Sequence, residues 1–316
     1  MKKQLLSFAM IALTGLGFAQ NGVWKATTKK ATSITLQNKT SLTKPKFFEL
    51  DVTALKQSLA ASPARSTNGT SNVVVAFPNA DAQMEHFRVM KNSNMDPELE
   101  AKYPEIMSYV GEGIENPSST IYFSVSPLGV ETMTIYADRS AVFIEPYTTD
   151  GSTYAVYRKS DRMAAMNAFD CKVISAVQPQ LGESSTARPN ADDALLRTYR
   201  LAMSVTGEYT TYFGGTKALA LAAINNTMTR VNGVFEKDFS ARMVLIANTD
   251  TVIYTNASTD PYSAASTGAG GAWNQELQTT LTNNIGSANY DIGHLFGATG
   301  GGGNAGCIGC ICTNPT

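Results

Sequence analysis

The residue types that can hold a metal or act as nucleophiles are few in this chain, and their spacing limits what they can do. There are four cysteines, Cys171, Cys307, Cys310 and Cys312, the last three crowded at the C-terminal end. Cys307 and Cys310 have the C-x-x-C spacing of four-thiolate metal sites, but such a site needs a second pair, and the sequence offers none. In an oxidising compartment crowded thiols pair, which makes all four disulfide candidates. Only two histidines occur, His86 and His294, far apart in the chain. A histidine-based zinc site uses two or three closely spaced imidazoles, so both read as ordinary surface or core residues. No Gly-x-Ser-x-Gly elbow, phosphate loop or dinucleotide fingerprint is present. The glycine run 300–303 is followed by neither Lys-Ser/Thr nor a helix, which argues against phosphate binding.

The run Tyr290-Asp291-Ile292-Gly293-His294-Leu295-Phe296-Gly297 imitates the second half of a zinc helix. Tyrosine stands where the first histidine belongs and aspartate where a glutamate belongs. Tyrosine is a poor zinc ligand beside imidazole, and aspartate is a methylene too short to reach the metal-bound water. The run is therefore expected to be a strand.

The elements that would position these residues follow from composition and pattern. Residues 1–19 have a basic start (Lys2, Lys3), an apolar stretch and the small residues Gly17 and Ala19, the parts of a cleavable export signal. The alternative is a membrane anchor, but the apolar run is shorter than the roughly 20 residues a span needs, and polar residues follow at once. A secreted, extracellular location with no membrane attachment after cleavage is expected. Net charge is −1, with 25 Lys and Arg against 26 Asp and Glu, so no basic excess is available for nucleic acid. The hydrophobic share of 43% suits globular structure.

Residues 20–72 read as a loosely ordered leader, broken by Pro45, Pro63 and a Ser/Thr/Asn run, with a short structured piece over 47–59. Residues 73–175 read as a β-rich unit: apolar strands at 73–77, 121–125, 132–136, 141–144 and 154–157 have the spacing of an antiparallel meander, with a helix-like insert near 97–107. Residues 176–196 have linker composition, where proteolytic nicks concentrate. From residue 197 the texture changes. Residues 199–205 alternate as a strand, Thr216 caps a helix running to about Phe235, residues 241–247 form a buried strand, a second helix covers 273–285, and strands follow at 290–296 and 305–311. This order predicts an α+β protein whose rear unit is a mixed, mostly parallel sheet with crossover helices and an antiparallel edge strand.

Residues 198–312 resemble the N-terminal part of an adamalysin-like (reprolysin-like) metzincin catalytic domain. The likeness rests on the helix Ile224-Asn225-Asn226-Thr227-Met228-Thr229-Arg230-Val231-Asn232-Gly233, the strand Arg242-Met243-Val244-Leu245-Ile246-Ala247, the strand at 290–296 and the glycine-rich edge Gly303-Asn304-Ala305-Gly306-Cys307. The bacterial secreted branch, with a β-rich propeptide ahead of the protease, is the nearest likeness, and residues 77–160 resemble that propeptide. The resemblance implies a zinc-dependent endopeptidase precursor acting on peptides or proteins. Its substrate would add a strand to the edge formed by Asn304, Ala305 and Gly306, which otherwise reads as an ordinary edge strand. The family's zinc helix, H-E-x-x-H-x-x-G-x-x-H, would follow Cys312, so no catalytic residue and no metal ligand is assigned, and the 316-residue chain is expected to be truncated and inactive. Cys171 lies where a propeptide cysteine would take the zinc, although its Phe169-Asp170-Cys171-Lys172-Val173 context lacks the family's Met-Cys-Gly form. It is therefore a cysteine-switch candidate beside the buried or disulfide-bonded reading. Two other classes fit part of the pattern: a non-enzymatic exported binding or adhesion module, and an inhibitor formed by residues 20–195.

Overall fold

The computed structural model describes residues 22–28, 33–36, 42–65, 69–162, 171–173, 195–298 and 303–305, the segment 171–173 in its backbone alone. The segment 1–19 expected to be an export signal, most of the expected 176–196 linker, Gly306, Cys307, Cys310 and Cys312 lie outside the described residues.

The front part is built from short apolar segments bounded by turn residues. Its strands are β1 (Trp24–Thr27), β2 (Lys46–Leu50), β3 (Val74–Pro78), β4 (Met84–Lys91), β5 (Met107–Gly113), β6 (Thr120–Ser126), β7 (Gly129–Ile135), β8 (Val142–Pro146) and β9 (Tyr154–Arg158). Helix α1 (Val52–Leu59) follows β2, and α2 (Pro97–Lys102) lies between β4 and β5. The strands form one nine-stranded sheet in the order β1-β2-β9-β8-β7-β6-β5-β4-β3. Every neighbouring pair is antiparallel. A sheet this wide curls under its own twist. The two edges come together: the Trp24 ring on β1 lies 6.1 Å from Phe77 on β3, and 5.5 Å from Tyr154. The sheet is thus nearly closed around a core that includes Phe48, Phe87, Ile121, Phe123 and Val156. The meander expected over 73–160 is present, and β4 and β5 add to the strands read from sequence.

A polar tie fastens the start of this sheet. Asp150 accepts hydrogen bonds from Thr148 Oγ1 at 2.6 Å, Ser152 Oγ at 2.8 Å and Ser33 Oγ at 3.0 Å. These bonds, the Thr148 hydroxyl foremost, hold its carboxyl well below the usual aspartate range. A carboxyl with a lowered folded-state pKa contributes stability above its unfolded value, about 3.9, and loses it as the pH falls towards the folded value. The thermal midpoint should therefore drop as the pH is taken from about 5 to below 3. Asp150→Asn should flatten that dependence; a scan of melting temperature against pH with an unchanged slope would discard the assignment.

The rear part alternates strand and helix. Its elements are β11 (Arg197–Val205), α3 (Gly207–Tyr212), α4 (Lys217–Phe239), β12 (Ala241–Leu245), α5 (Ala265–Thr267), α6 (Trp273–Asn284), β13 (Ile292–Phe296) and β14 (Gly303–Ala305). A further short strand, β10 (Cys171–Val173), precedes them. Thr216 caps α4 as expected, its hydroxyl accepting from the Leu219 N–H at 3.2 Å. The helix ends at Ser240, whose φ of 50° is left-handed. Strands β12, β11 and β13 form a three-stranded sheet in that order, both pairs parallel. Residues 290–297 supply the strand β13 rather than a zinc helix, as the side chains predicted.

Helix α4 lies between this sheet and the outer face of the front sheet. Ala220, Leu221, Ile224 and Met228 are buried with β11 side chains. At Gly233 the helix touches the front sheet so closely that an added Cβ would stand 2.8 Å from Tyr122 and 2.9 Å from Met133.

The α+β class holds, but the sheet arrangement needs correction. The dominant sheet is antiparallel, so the sheet structure as a whole is not mostly parallel. Of the edge strand expected at 305–311 only Ala305 lies within the described residues; it ends β14, which pairs with β10, and that pair is parallel. The difference is physical. A strand of three residues is placed by whichever open edge it meets, and local pattern does not specify that edge.

Candidate functional site

The site predicted from sequence centres on β14, which is held in place by the start of α6. The chain Gly-Ala-Gly-Gly-Ala over Gly268–Ala272 joins α5 to α6 through a kinked turn. Gly271 has a φ of 132°, a conformation that only glycine takes without strain. The Trp273 ring is clamped behind the turn. A Cβ on Gly268 would lie 2.0 Å from the indole and one on Gly297 2.5 Å from it, so both positions need glycine for the ring to fit. Its Nε1–H donates to the Ser263 carbonyl at 2.8 Å, and Glu276 accepts from the Ser263 N–H at 2.9 Å. The next residue, Asn274, donates from Nδ2 to Asn304 Oδ1 at 3.1 Å, which ties β14 to the helix. Asn304 Nδ2 is buried and has no hydrogen-bond partner among the described residues.

Of the residues expected to take a peptide substrate, Asn304 and Ala305 are in β14, Asn304 half-buried and Ala305 exposed. Gly306 lies outside the described residues. The partner strand is the unexpected feature. Cys171, Lys172 and Val173 stand opposite Gly303, Asn304 and Ala305 in parallel register. The backbone carrying the cysteine-switch candidate therefore lies along the edge predicted for substrate. Trp273, Asn274 and the 268–272 kink are not legible as site features in the sequence, although the glycine density at 268–271 marks an irregular backbone there.

The two histidines are not brought together. His86 is on β4, with Nδ1 2.5 Å from Glu115 Oε1 in an exposed pair. His294 is on β13, exposed and edge-on to Phe296, ring centroids 5.0 Å apart. Among the described residues no three His, Cys, Asp or Glu side chains converge as a metal site. The 316 residues hold no H-E-x-x-H run. The described residues therefore do not fit a zinc ion. No helix among the described residues is long and apolar enough to cross a membrane.

Charged side chains also line a cleft between α2 and β12, formed by Arg65, Lys91, Glu100 and Arg242. These charges are mostly satisfied internally. Arg65 pairs with Glu236 and Lys91 with Glu100, while Arg242 Nη2 donates to the Ser93 carbonyl at 2.6 Å.

No curated protein matches the chain. Residues 196–316, which hold the parallel sheet, α3 to α6 and β14, match the model of metallopeptidase family M12B, reprolysin-like. This rear part of the chain is accordingly similar to reprolysin-like metallopeptidases, and peptide-bond hydrolysis is the chemistry that the similarity brings with it.

Proposed function

We propose that the protein is an exported precursor of a zinc-dependent endopeptidase, that residues 197–316 are the front portion of its catalytic unit, and that residues 73–175 act as a propeptide. The zinc ligands are assigned to a helix following Thr316, since the described side chains do not assemble a site. When bound in such enzymes, zinc activates a water and polarises the scissile carbonyl.

The observation that carries the reading is the β10–β14 ladder. A peptide substrate that adds a strand to β14 needs the backbone groups of Gly303 to Ala305, and β10 lies on them. The front part thus keeps the enzyme latent by occupying the substrate's edge, with Cys171 at the end of the blocking strand. Asn304, fixed by Asn274, is the side chain placed to meet the substrate backbone.

The test uses a form of the protein extended past Thr316. It should cleave an unfolded protein substrate only after processing, and a chelator should abolish the cleavage. Cys171→Ser should raise activity before processing by at least about tenfold, equivalent to roughly 1.4 kcal/mol of lost inhibition. An extended form without a paired-histidine helix, or one whose proteolysis survives chelation, would overturn the proposal.

A further inference from the structure

The segment between β4 and β5, residues 92–106, belongs by sequence to the front part. Asn92 and Asn94 still bond to Ser108 of the front part, but the segment's apolar side chains pack against the rear part. The outer edge of β12 would be open in an isolated rear sheet, and residues 94–96 cover it. The Leu245 N–H donates to the Asn94 carbonyl and the Asp96 N–H donates to the Leu245 carbonyl, both at 2.8 Å. One residue pair further along, Met243 donates its N–H to Asn232 Oδ1 and accepts from Asn232 Nδ2, both at 2.8 Å. The side chains follow the backbone. Met95, Leu99 and Ile106 are buried in the same apolar cluster as Leu201, Met203 and Leu245 of the rear sheet. Asn94, itself 1% exposed, donates to Asn225 Oδ1 at 3.1 Å and to Thr229 Oγ1 at 2.9 Å, and accepts from Asn232 at 3.0 Å.

We infer that residues 92–106 are a structural part of the rear unit, an intramolecular β-bridge and helix that cover its sheet edge and complete its core. Removing them would expose the β12 edge and leave buried Asn225 and Asn232 without Asn94. A cut in the segment joining front and rear therefore does not release the front part: the product is a two-piece complex held by this segment. If the front part blocks the β14 edge, a single cut leaves the block in place. The inference itself does not depend on the peptidase reading, because neither measurement below uses activity.

The experiment inserts a recognition sequence for a site-specific protease after Ser184 in the full chain and cuts the folded protein. Both pieces should elute together as one species in native buffer. Hydrogen-exchange protection of peptides covering 94–96 and 243–246 should equal that of the uncut protein. In the cut protein Leu99→Ala should speed separation of the pieces at least tenfold, while the uncut variant keeps its far-ultraviolet circular dichroism. Separation of the pieces in native buffer, loss of protection on cutting, or a Leu99→Ala separation rate equal to that of the parent would each overturn the inference.

Discussion

Replacing Arg230 with methionine should lower the unfolding free energy by about 3–5 kcal/mol, the cost typical of removing one partner from a buried ion pair. Arg230 stands on α4 and points into the outer face of the front sheet. Its Nη2 lies 2.5 Å from Glu145 Oε1 and 3.0 Å from Glu131 Oε2. The guanidinium also stands over the Phe143 ring, 5.1 Å from its centroid. The Glu145 side chain is only 1% exposed, so its carboxylate gains little from water when the arginine goes. The cost should come mainly from that buried charge rather than from lost attraction. Arg230→Met combined with Glu145→Gln should therefore recover more than about 1 kcal/mol of the single-variant loss. Urea denaturation of the two variants measures both quantities. A loss below about 1 kcal/mol for Arg230→Met would place the pair among surface contacts of little consequence.

Leu99→Ala should cost about 3–4 kcal/mol, within the range for fully buried leucines whose site cannot collapse. The cost should also appear in a part of the protein distant in sequence. Leu99 is 0% exposed and packs in the cluster centred on β11 and α4. The chain has two tryptophans, and they report on different regions. Trp24 lies in the front core, and Trp273 lies behind the Gly268–Ala272 kink of the rear part. In a Trp24→Phe background the fluorescence of Trp273 follows the rear part alone. Leu99→Ala should lower its unfolding midpoint as much as it lowers that seen by Trp24 in a Trp273→Phe background. An unmoved Trp273 midpoint would mean that the rear core is independent of residues 92–106. The physical reason to expect coupling is that one apolar cluster draws side chains from both parts, so its loss cannot be confined to either.

Arg230 and Leu99 act across the same boundary, which is unusually polar for a buried surface. Ser108 donates to Asn225 at 2.8 Å and Ser124 to Asn226 at 2.6 Å, and all four residues are buried. Hydrogen-bonded amides and hydroxyls align the two faces more strictly than apolar contact, because each unmatched polar group costs its full desolvation. This explains how the broad face of α4 is held in one register against β5 and β6.

Elements with a strong local period could be read from residue order. Helix α4 is announced by its Thr216 cap and by apolar residues at helical spacing. The antiparallel character of residues 73–160 follows from short apolar runs separated by turn residues, and the strand at 292–296 from side chains unsuited to a zinc helix. The peptidase likeness was legible in residues 198–312. Tertiary structure alone decided the rest. The polar stripe of α4, Asn225, Asn226, Thr229 and Asn232, has the pattern of a solvated face, yet it is buried because Ser108 and Asn94 meet it from 117 and 138 residues away. The same holds for β10 and β14, whose three-residue ladder has no local signature. Local periodicity tells which face of an element is apolar. Which distant segment covers its other face, or takes an open edge, depends on how the whole chain closes.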